Sequence, residues 1–448
     1  MLGMTVEPDF ELLRRREFAR LDANGHAYLD YTGSALYPES LLLEHQALLR
    51  RSVFGNPHAE NPASLSSTHV IDDARQRILG YLDADPADYA VCFTSNATGA
   101  LGLVGDAFRF APNAPLILTT DNHNSVNGIR AFARRAGAST HYLPLDAALR
   151  LDDGHARLER IDGEGLFAFP AQSNFSGVRH PLSLVQHARS LGHRVLLDAA
   201  AYLPMSRLSL REVPADFVVM SFYKMFGYPT GVGALVARRE ALAALERPWF
   251  SGGTVDFVSV QNEVHALRRS EQAFEDGTAN FLGISAIPGG LDFLESVGTD
   301  AIEQHACGLT MQFIGELSSR VHANGAPVAE LYGPGIASDR GATAAFNLLD
   351  ANGAAVPFAA VEHRARTARV SVRGGCFCNP GASEAAFRFP AEAAAQCLRS
   401  VKETGWSIDR FAECLRDYPV GAIRASFGAP SSVRDLQRLL AVVDSFAT

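Results

Sequence analysis

The sequence has few cysteines, no long apolar run and no excess of positive charge. Only 6 of its 448 residues are cysteines, too few for a disulfide framework, so we expect free thiols in a reducing compartment. No apolar stretch approaches the roughly 18 residues that a membrane span requires. The 49 acidic residues outnumber the 40 basic ones, and nothing indicates a nucleic acid or a membrane as a partner. Four cysteines are predicted to be buried structural thiols, namely Cys92, Cys307, Cys397 and Cys414.

The N-terminal residues MLGMTVEPDFELLRRREFAR carry charges where a signal peptide needs an uninterrupted apolar segment. The composition, with 47% hydrophobic and 20% charged residues, is that of a globular protein. A chain of this length can form two domains with a substantial core. We therefore expect a cytoplasmic protein of two domains.

Lysine is nearly absent from the chain. Among 40 basic residues only Lys224 and Lys402 are lysines, and a coding bias explains the excess of arginine. Lys224 nevertheless lies within SFYKMFGYPTG at residues 221–231. Lysine can lose its proton and attack a carbonyl carbon, which arginine does not do. The alternative is a solvated lysine on the surface. The residues around Lys224 must distinguish between these two interpretations.

Five short, nearly continuous apolar runs recur in the first half of the chain. They are YAVCFTS at 89–95, LILTT at 116–120, LFAFP at 166–170, RVLLD at 194–198 and FVVMS at 217–221. Such runs are typical of strands buried on both faces of a parallel sheet. Amphipathic helix candidates, such as residues 181–192, lie between them, which predicts an α/β sheet with helices on both sides.

Polar residues follow each predicted strand, where the ligands of such sheets bind. Thr98 lies at a helix start whose N–H groups can hold a phosphate, although a simple helix cap is the alternative. His123 follows the second strand and Asn174 the third. Asp198 ends the fourth, where a helix cap is again the alternative, and Lys224 follows the fifth. The sequence therefore predicts one site at this edge of the sheet.

A phosphate site, a carboxylate and a lysine at one sheet edge fit pyridoxal phosphate. This cofactor needs a lysine for its Schiff base, an acid partner for its ring nitrogen and a phosphate cup. The protonated ring nitrogen makes the cofactor an electron sink for the carbanion formed at the substrate Cα. The combination predicts a pyridoxal-phosphate site at Lys224 and Asp198.

Eight segments resemble the pyridoxal-phosphate domain of the molybdenum cofactor sulfurases and, more broadly, the cysteine desulfurases and class V aminotransferases. In chain order they are LDYTGSALYP, FTSNATGAL, PAQSNFSG, LLDAAAYLP, SFYKMFGYPTGVGAL, FEDGTANF, RGGCFCNPGA and IRASFG. The resemblance implies a fold-type I transferase with a mainly parallel seven-stranded sheet in a large domain at residues 31–285. A smaller α+β domain is implied at residues 286–448, with residues 1–30 packing on it.

The same resemblance implies roles for single residues. Lys224 is implied as the Schiff-base lysine, Asp198 as the partner of the ring nitrogen, and His123 as the residue that stacks on the ring and helps to transfer protons. The further implied cofactor contacts come from Ala97, Thr98, Asn174, Ser221 and Tyr223. Thr278 matches a threonine that reaches the phosphate of a neighbouring subunit, which implies a homodimer.

Two arginines match the implied substrate site. Arg424, in IRASFG, matches the arginine that grips the substrate carboxylate, a task that suits its bidentate guanidinium. Arg373, just before the cysteine segment, is a second candidate for anion binding, and Asn174 is implied near the ring hydroxyl or the substrate.

Cys378 matches the cysteine that carries a persulfide in this family. A thiolate there would attack the substrate sulfur and leave alanine, and partial exposure near Arg373 favours the thiolate. Glycines and a Pro-Gly turn in VRGGCFCNPGAS suit a mobile loop. No metal is predicted, because Cys376 and Cys378 lack a second pair or a histidine cluster. A buried structural role stays open for Cys376.

Two positions depart from the general desulfurases, and both departures occur in the sulfurase-like subgroup. Ala201 stands where those enzymes have a glutamine, and Tyr223 stands where many have a histidine. Full-length eukaryotic sulfurases also continue into a domain that binds the molybdenum cofactor, whereas this sequence reaches Thr448 soon after IRASFG. The sequence gives no support for delivery to that cofactor, and the acceptor is left open as a protein or a small molecule.

We predict a cysteine desulfurase or sulfurtransferase that acts on L-cysteine and passes sulfur from Cys378 to an acceptor. The alternative keeps the cofactor but changes the reaction to that of a lyase, epimerase or aminotransferase acting on another amino acid. A third interpretation is a binding or scaffold protein that keeps the fold without catalysis, against which Lys224 and Asp198 argue.

Overall fold

The computed structural model describes residues 8–336, 339–388, 390–405, 407–415 and 418–447. Its strands are β1 (Ala27–Tyr28), β2 (Tyr89–Thr94), β3 (Leu116–Thr119), β4 (Thr140–Leu143), β5 (Leu166–Pro170), β6 (Arg194–Asp198), β7 (Phe217–Ser221), β8 (Gly233–Arg238), β9 (Val255–Ser259), β10 (Val264–Leu267), β11 (Ala329–Tyr332), β12 (Thr343–Leu348), β13 (Val370–Ser371), β14 (Arg373–Gly375) and β15 (Ala422–Ser426). Its helices are α1 (Phe10–Glu17), α2 (Arg20–Ala23), α3 (Glu39–Arg51), α4 (Pro62–Tyr81), α5 (Ala97–Ala107), α6 (Asn124–Asn127), α7 (Arg130–Arg135), α8 (Gly154–Leu158), α9 (Ser183–Ser190), α10 (Phe222–Phe226), α11 (Arg239–Ala243), a 3₁₀ turn (Glu271–Phe274), α12 (Phe281–Ile284), α13 (Ile287–Val297), α14 (Thr299–Ser318), α15 (Phe358–Thr367), α16 (Pro380–Phe387), α17 (Ala391–Thr404), α18 (Ile408–Leu415) and α19 (Val433–Asp444). None of the helices in these ranges has both the length and the apolar character needed to cross a membrane.

Seven strands form the central sheet in the order β2-β8-β7-β6-β5-β3-β4. All five strands predicted from the apolar runs are present, and each boundary agrees within one residue. Only β8 runs antiparallel to its neighbours in this sheet. The connection from β7 to β8 spans residues 222–232, which is shorter than the dozen or more residues of a usual parallel crossover. The predicted mainly parallel α/β fold is confirmed.

The central strands are buried on both faces, which explains their continuous apolar sequence. In β6, Val195 and Leu197 belong to the apolar cluster on one face, and Leu196 belongs to the cluster on the other. All three side chains are fully buried. Helix α4 packs its apolar residues into the first cluster, and α5 packs into the second. The sheet therefore fixes the positions of the strand ends between two packed layers.

A second sheet of four antiparallel strands, in the order β11-β12-β15-β14, lies in the C-terminal part of the chain. A separate apolar cluster covers it, with Phe313, Phe346 and Phe427 at its centre. Strand β1 pairs with β13, so the N-terminal segment contacts this part of the chain. The domain boundaries at residues 30 and 285 stay a prediction.

Cys397 of α17 and Cys414 of α18 form a disulfide, with their Cα atoms 5.7 Å apart. The prediction that these two cysteines are free thiols was therefore wrong. The helices contact each other in a hairpin, and the pattern of the sequence did not show that this pairing would join the two sulfur atoms. Cys92 is buried as predicted, Cys307 is partly buried, and both are free.

Candidate active site

A cavity of about 130 Å³ lies at the carboxyl ends of the central strands. Strands β5, β6 and β7 reach it with their last residues, and α5 contributes its first turn. Of the residues predicted to form the site, the cavity is lined by Ala97, Thr98, His123, Asn174, Asp198, Ser221, Tyr223 and Lys224. Because the carboxyl ends of parallel strands meet at one edge of a sheet, their order in the sequence predicted this grouping.

Lys224 lies in the single turn of α10, directly after β7. Burial lowers the pKa of its amine, an effect that the carboxylate of Asp198 opposes. Arg424 and Arg373 lower the pKa of Lys224 further through charge repulsion. The amine therefore loses its proton more readily than that of an exposed lysine.

The helix that carries Lys224 is fixed by the N-terminal LDYTGSALYP segment. The carbonyl of Tyr223 accepts hydrogen bonds from Ala35 N at 3.1 Å and from Ser34 Oγ at 3.3 Å. Gly227 ends the helix with φ at +76°, and a Cβ there would lie 2.3 Å from the backbone nitrogen of Tyr37. The glycine in SFYKMFG is required by both its backbone conformation and this close approach.

Asp198 ends β6 and is 9% exposed. Its Oδ1 accepts a hydrogen bond of 3.0 Å from the backbone N–H of Ala200, and its carboxylate lines the cavity. The helix-cap alternative for this aspartate does not apply, because the described residues after β6 form a turn and not a helix. The carboxylate fixes that turn and faces the cavity.

The first turn of α5 presents its N-terminal end to the cavity. Ala97 N donates to Ser221 Oγ at 2.8 Å, which joins the start of α5 to the end of β7. The Thr98 hydroxyl lies 2.8 Å from the hydroxyl of Ser125, another lining residue. Hydroxyls beside the positive end of an 11-residue helix form a favourable environment for an anion.

His123 follows β3 and contributes its imidazole to the cavity. The backbone N–H of Ser125 donates to His123 Nδ1 at 3.1 Å, which assigns the proton of the neutral ring to Nε2. Burial lowers the pKa of His123, while Asp198 raises it and Lys224 lowers it. The structure therefore favours a neutral imidazole that can donate from Nε2.

The cysteine segment forms a defined turn between β14 and α16. Phe377 and Cys378 have φ values of 56° and 55°, in the left-handed region that most residues avoid. Asn124 N donates to the Cys378 carbonyl at 2.7 Å, and Asn174 Nδ2 donates to the Phe377 carbonyl at 2.7 Å. Cys376 and Cys378 both have exposed side chains. Two hydrogen bonds from the segments that follow β3 and β5 thus hold the turn beside the cavity.

Asn379 is a site residue that the sequence reasoning missed. It is fully buried, and its Nδ2 donates to the Asp121 carbonyl at 2.6 Å and to Asn174 Oδ1 at 2.9 Å. Its Oδ1 caps α16 by accepting from Ala382 N at 3.1 Å. An asparagine before Pro-Gly is a helix-start signal, which marked its capping role. Across the described part of the chain, no three His, Cys, Asp or Glu side chains form a group that could hold a metal ion.

The two predicted anion-binding arginines face each other across strands β14 and β15 and share the carboxylate of Asp30. Arg373 donates to Asp30 from Nη2 at 2.6 Å, and Arg424 donates to it from Nη2 at 3.1 Å. Arg424 also donates to the Asn174 carbonyl at 2.8 Å. Asp30 was missed as a site residue, although it lies in the LDYTG segment that carries the family resemblance.

Thr278 lies outside this cavity. Its side chain is exposed, and its hydroxyl accepts a hydrogen bond of 3.2 Å from Asn56 Nδ2. It lines a separate groove together with Trp249 and the first turn of α5. A single chain therefore does not bring Thr278 together with Lys224.

Comparison with known proteins agrees with the resemblance in the sequence. The chain is 36% identical to the molybdenum cofactor sulfurase of Arabidopsis thaliana over 97% of this chain and 58% of that protein. It is 36% identical to the molybdenum cofactor sulfurase of Bos taurus, over 96% of this chain and 51% of that protein. It is 35% identical to that of Homo sapiens, over 96% of this chain and 50% of that protein. The predicted resemblance to these proteins is confirmed. The chain spans about half the length of the curated relatives it matches.

Solved structures share the fold. An apo cysteine desulfurase from Thermococcus onnurineus superimposes with a TM-score of 0.78 at 22% identity, covering 97% of both chains. The cysteine desulfurase CsdA from Escherichia coli superimposes with a TM-score of 0.78 at 21% identity, covering 98% of both chains. The family model described as aminotransferase class-V matches residues 27–439. The chain therefore belongs to the class V aminotransferase family.

Proposed function

We propose that the protein is a pyridoxal-phosphate-dependent cysteine desulfurase or sulfurtransferase. It removes sulfur from L-cysteine, leaves alanine and holds the sulfur as a persulfide on Cys378 for an acceptor. The observation that carries this proposal is the meeting of Lys224, Asp198 and His123 in one cavity beside the Cys378 turn. The names of the relatives and of the structural neighbours support it.

The groups lining the cavity fit pyridoxal phosphate. When bound, this cofactor withdraws electrons from the substrate Cα, which makes the Cα proton and the Cβ substituent labile. Lys224 supplies the amine for its aldehyde, and Asp198 supplies the carboxylate for its ring nitrogen. The N-terminus of α5, with Thr98 and Ser221, is suited to its phosphate.

Two side chains in the cavity can hold or move protons. The neutral amine of Lys224, favoured by burial, can accept a proton and return it. His123 can donate a hydrogen bond from Nε2 while its Nδ1 is held by the backbone of Ser125. These two groups lie close enough that the charge of Lys224 lowers the pKa of His123. We assign proton transfer to Lys224, and we assign to His123 both the orientation of the bound ring and help with proton transfer.

Cys378 supplies the nucleophile for sulfur. Its thiolate forms a bond to the substrate sulfur, the substrate Cβ–S bond breaks with its electron pair moving to carbon, and a proton delivered to Cβ completes alanine. The negative charge of a Cys378 thiolate raises the pKa values of Lys224 and Arg424, so the thiol lies within electrostatic reach of the cavity. It is also exposed, which allows an acceptor to reach the persulfide.

The test compares two neighbouring cysteines in the cofactor-loaded protein. L-cysteine is supplied to the wild type, to Cys378→Ser and to Cys376→Ser, and alanine and protein-bound persulfide are measured. We expect the wild type and Cys376→Ser to form both products and Cys378→Ser to form neither at a comparable rate. Full alanine formation by Cys378→Ser would contradict the role of Cys378 as the sulfur nucleophile. Sulfide and pyruvate in place of alanine would instead support a lyase.

We also propose a homodimer in which Thr278 completes the site of the partner. Exposed apolar residues lie in the same region as Thr278 and suit contact with a second copy of the chain. On the β9–β10 hairpin and just before it, Phe257 is 61% exposed, Val260 90% and Trp249 55%. Light scattering should give twice the chain mass, and Thr278→Ala should weaken cofactor binding without changing that mass. A monomer with full cofactor affinity would contradict this arrangement.

The acceptor in this proposal is a separate protein or a small molecule that reaches exposed Cys378. The matched relatives are about twice as long as this chain, so their complete activities do not transfer to it. A cytoplasmic location is part of the proposal, because a reducing compartment keeps the nucleophilic thiol of Cys378 free. The disulfide between Cys397 and Cys414 counts against this location, since such bonds are rare in reducing compartments.

A further inference from the structure

Gln172 lines the cavity, and the proposed reaction assigns it no role. It lies two residues beyond the end of β5 and is 6% exposed. The neighbouring Ala171 N donates to the Asp198 carbonyl at 2.9 Å, so the segment after β5 lies beside the end of β6. A buried amide costs free energy unless its oxygen and its nitrogen are both hydrogen-bonded. The partners of the Gln172 amide therefore indicate what it does.

The orientation of the Gln172 amide is fixed at both ends. Its Nε2 donates to the Ala201 carbonyl at 3.1 Å, and its Oε1 accepts from Arg179 Nε at 3.3 Å. A carbonyl only accepts and a guanidinium only donates, so these two contacts assign the oxygen and the nitrogen of the amide. A glutamate here would place an acceptor against the Ala201 carbonyl. Glutamine is therefore the residue that can join Arg179 to Ala201.

Arg179 is itself held in place. Its Nη1 donates to Glu303 Oε1 at 2.6 Å, and its Nη2 donates to Ser206 Oγ at 2.8 Å. Its guanidinium carbon lies 5.6 Å from the ring centre of Tyr202. The backbone at Arg179 also forms an antiparallel bridge with that at Gln172. Each nitrogen of the guanidinium has a partner, so Arg179 is a fixed anchor for the amide.

The C-terminal part of the chain leaves room for this amide. A Cβ at Gly341 would lie 2.0 Å from Gln172 Oε1. Gly341 N donates to the Gly177 carbonyl at 2.9 Å, which holds the glycine against the loop after β5. A residue with a side chain at position 341 would displace the amide, so glycine is required there.

The Ala201 carbonyl belongs to the turn that carries Asp198. Asp198 Oδ1 accepts from Ala200 N at 3.0 Å, so the direction of the carboxylate depends on the conformation of this turn. The beginning of the turn is held by β7, where a backbone carbonyl accepts from Ala199 N at 3.2 Å. Its far end is held by Gln172 at Ala201. Loss of the amide would release that end of the turn.

We propose that Gln172 is a positioning residue for the cofactor, which acts through Ala201 to aim the Asp198 carboxylate at the ring nitrogen. The inference rests on the proposed function, in which Asp198 pairs with that nitrogen. A hydrogen bond between a carboxylate and a protonated ring nitrogen is charge-assisted and depends on distance and direction. Release of the turn therefore weakens this one contact, while the phosphate site at the start of α5 is unchanged.

The test uses two cofactors that differ only at the ring nitrogen. Pyridoxal phosphate and its deaza analogue, which has a C–H group in place of that nitrogen, are titrated calorimetrically into the full-length wild type and into Gln172→Leu after removal of bound cofactor. We expect Gln172→Leu to bind pyridoxal phosphate about tenfold more weakly and the analogue less than about twofold more weakly. Equal weakening for both cofactors, or none for either, overturns the inference.

The ratio of the two dissociation constants separates positioning from a general loss of fold. Gln172→Glu keeps the size and the contact with Arg179 but cannot donate to the Ala201 carbonyl, so its ratio should match that of Gln172→Leu. Arg179→Met should shift the ratio in the same direction, and the combined Gln172→Leu/Arg179→Met variant should shift it no further than Gln172→Leu does. Exposed Gln312→Leu on α14 is the control. A wild-type ratio in Gln172→Glu would contradict the proposed role.

The two proposals fail in different ways. A wild-type protein that binds pyridoxal phosphate but forms no alanine from L-cysteine removes the proposed function, and the ratio still reports on Gln172. Hydrogen exchange needs no cofactor, and the Ala200 N–H held by Asp198 Oδ1 should exchange faster in Gln172→Leu than in the wild type. A desulfurase in which Gln172→Leu changes neither the ratio nor this exchange rate keeps the proposed function and loses only this inference.

Discussion

Asn379 Nδ2 donates a hydrogen bond of 2.9 Å to Asn174 Oδ1, and both residues are buried. Asn379 directly follows Cys378, while Asn174 lies in the loop after β5 and lines the cavity. Asn174 Nδ2 in turn donates to the Phe377 carbonyl. The two amides therefore join the cysteine turn to the large sheet, and the position of Cys378 depends on both parts of the fold.

Replacement of Asn379 by alanine should displace the cysteine turn. The change removes three buried hydrogen bonds, and we expect a loss of about 3 kcal/mol in the free energy of unfolding. Persulfide formation should fall more than the binding of L-alanine, because the thiol moves while Arg424 stays. The exposed Asn352→Ala is the control. Equal losses in binding and persulfide formation would contradict a positioning role.

Replacement of Lys224 by arginine should abolish turnover, because a guanidinium stays protonated and does not attack an aldehyde. The chain offers a matched control in Lys402→Arg, since Lys402 is its other lysine and is exposed on α17. Visible absorbance of the bound cofactor and alanine formation are the two measurements. Loss of both in Lys402→Arg, or wild-type values in Lys224→Arg, would refute the assignment.

His123 should keep the enzyme active into mildly acidic solution. Burial lowers its pKa below 6.5, so the neutral imidazole persists in the folded chain as pH falls. The unfolded chain takes up a proton near pH 6.5, and the contribution of His123 to stability is therefore lost as pH falls below that value. We expect an acid limb of kcat below pH 6.5 and about a hundredfold loss in His123→Gln. The exposed His141→Gln should reproduce the wild-type pH profile, and an identical profile in His123→Gln would contradict this role.

The disulfide between Cys397 and Cys414 should be visible in a thiol count. Denatured protein without reductant should show four free thiols, from the cysteines at positions 92, 307, 376 and 378, and six after reduction. A loop of 17 residues implies a stabilisation of about 3 kcal/mol. Reductant should lower the Tm of the wild type but not that of a Cys397→Ala/Cys414→Ala double variant. Six thiols without reductant would exclude the bond.

The strands and the strand-end residues could be read from the sequence with little ambiguity. Buried parallel strands need continuous apolar runs, and each of the five runs became a strand of the central sheet. The residues after those runs were predicted to meet because such strands end at one edge. Lys224, Asp198 and His123 accordingly line one cavity.

The cysteine turn was predicted only in part. The glycines and the Pro-Gly pair suggested mobility, whereas two consecutive residues with left-handed backbone are held there by Asn124 and Asn174. The donors come from the start of α6, after β3, and from the loop after β5, both far from Cys378 in the sequence. Local composition therefore indicated a turn, and contacts from elsewhere in the chain decided its conformation.

The sequence by itself determined the α/β class and the identity of the residues at the sheet edge, because periodicity and strand ends are local properties of the chain. The tertiary structure alone decided the long-range pairs. Asp30 meets Arg373 across 343 positions, Asn174 meets Asn379 across 205, and Cys397 meets Cys414 across a helical hairpin. These contacts depend on how packed layers bring distant segments together, and no local pattern in the chain specifies which distant segments meet.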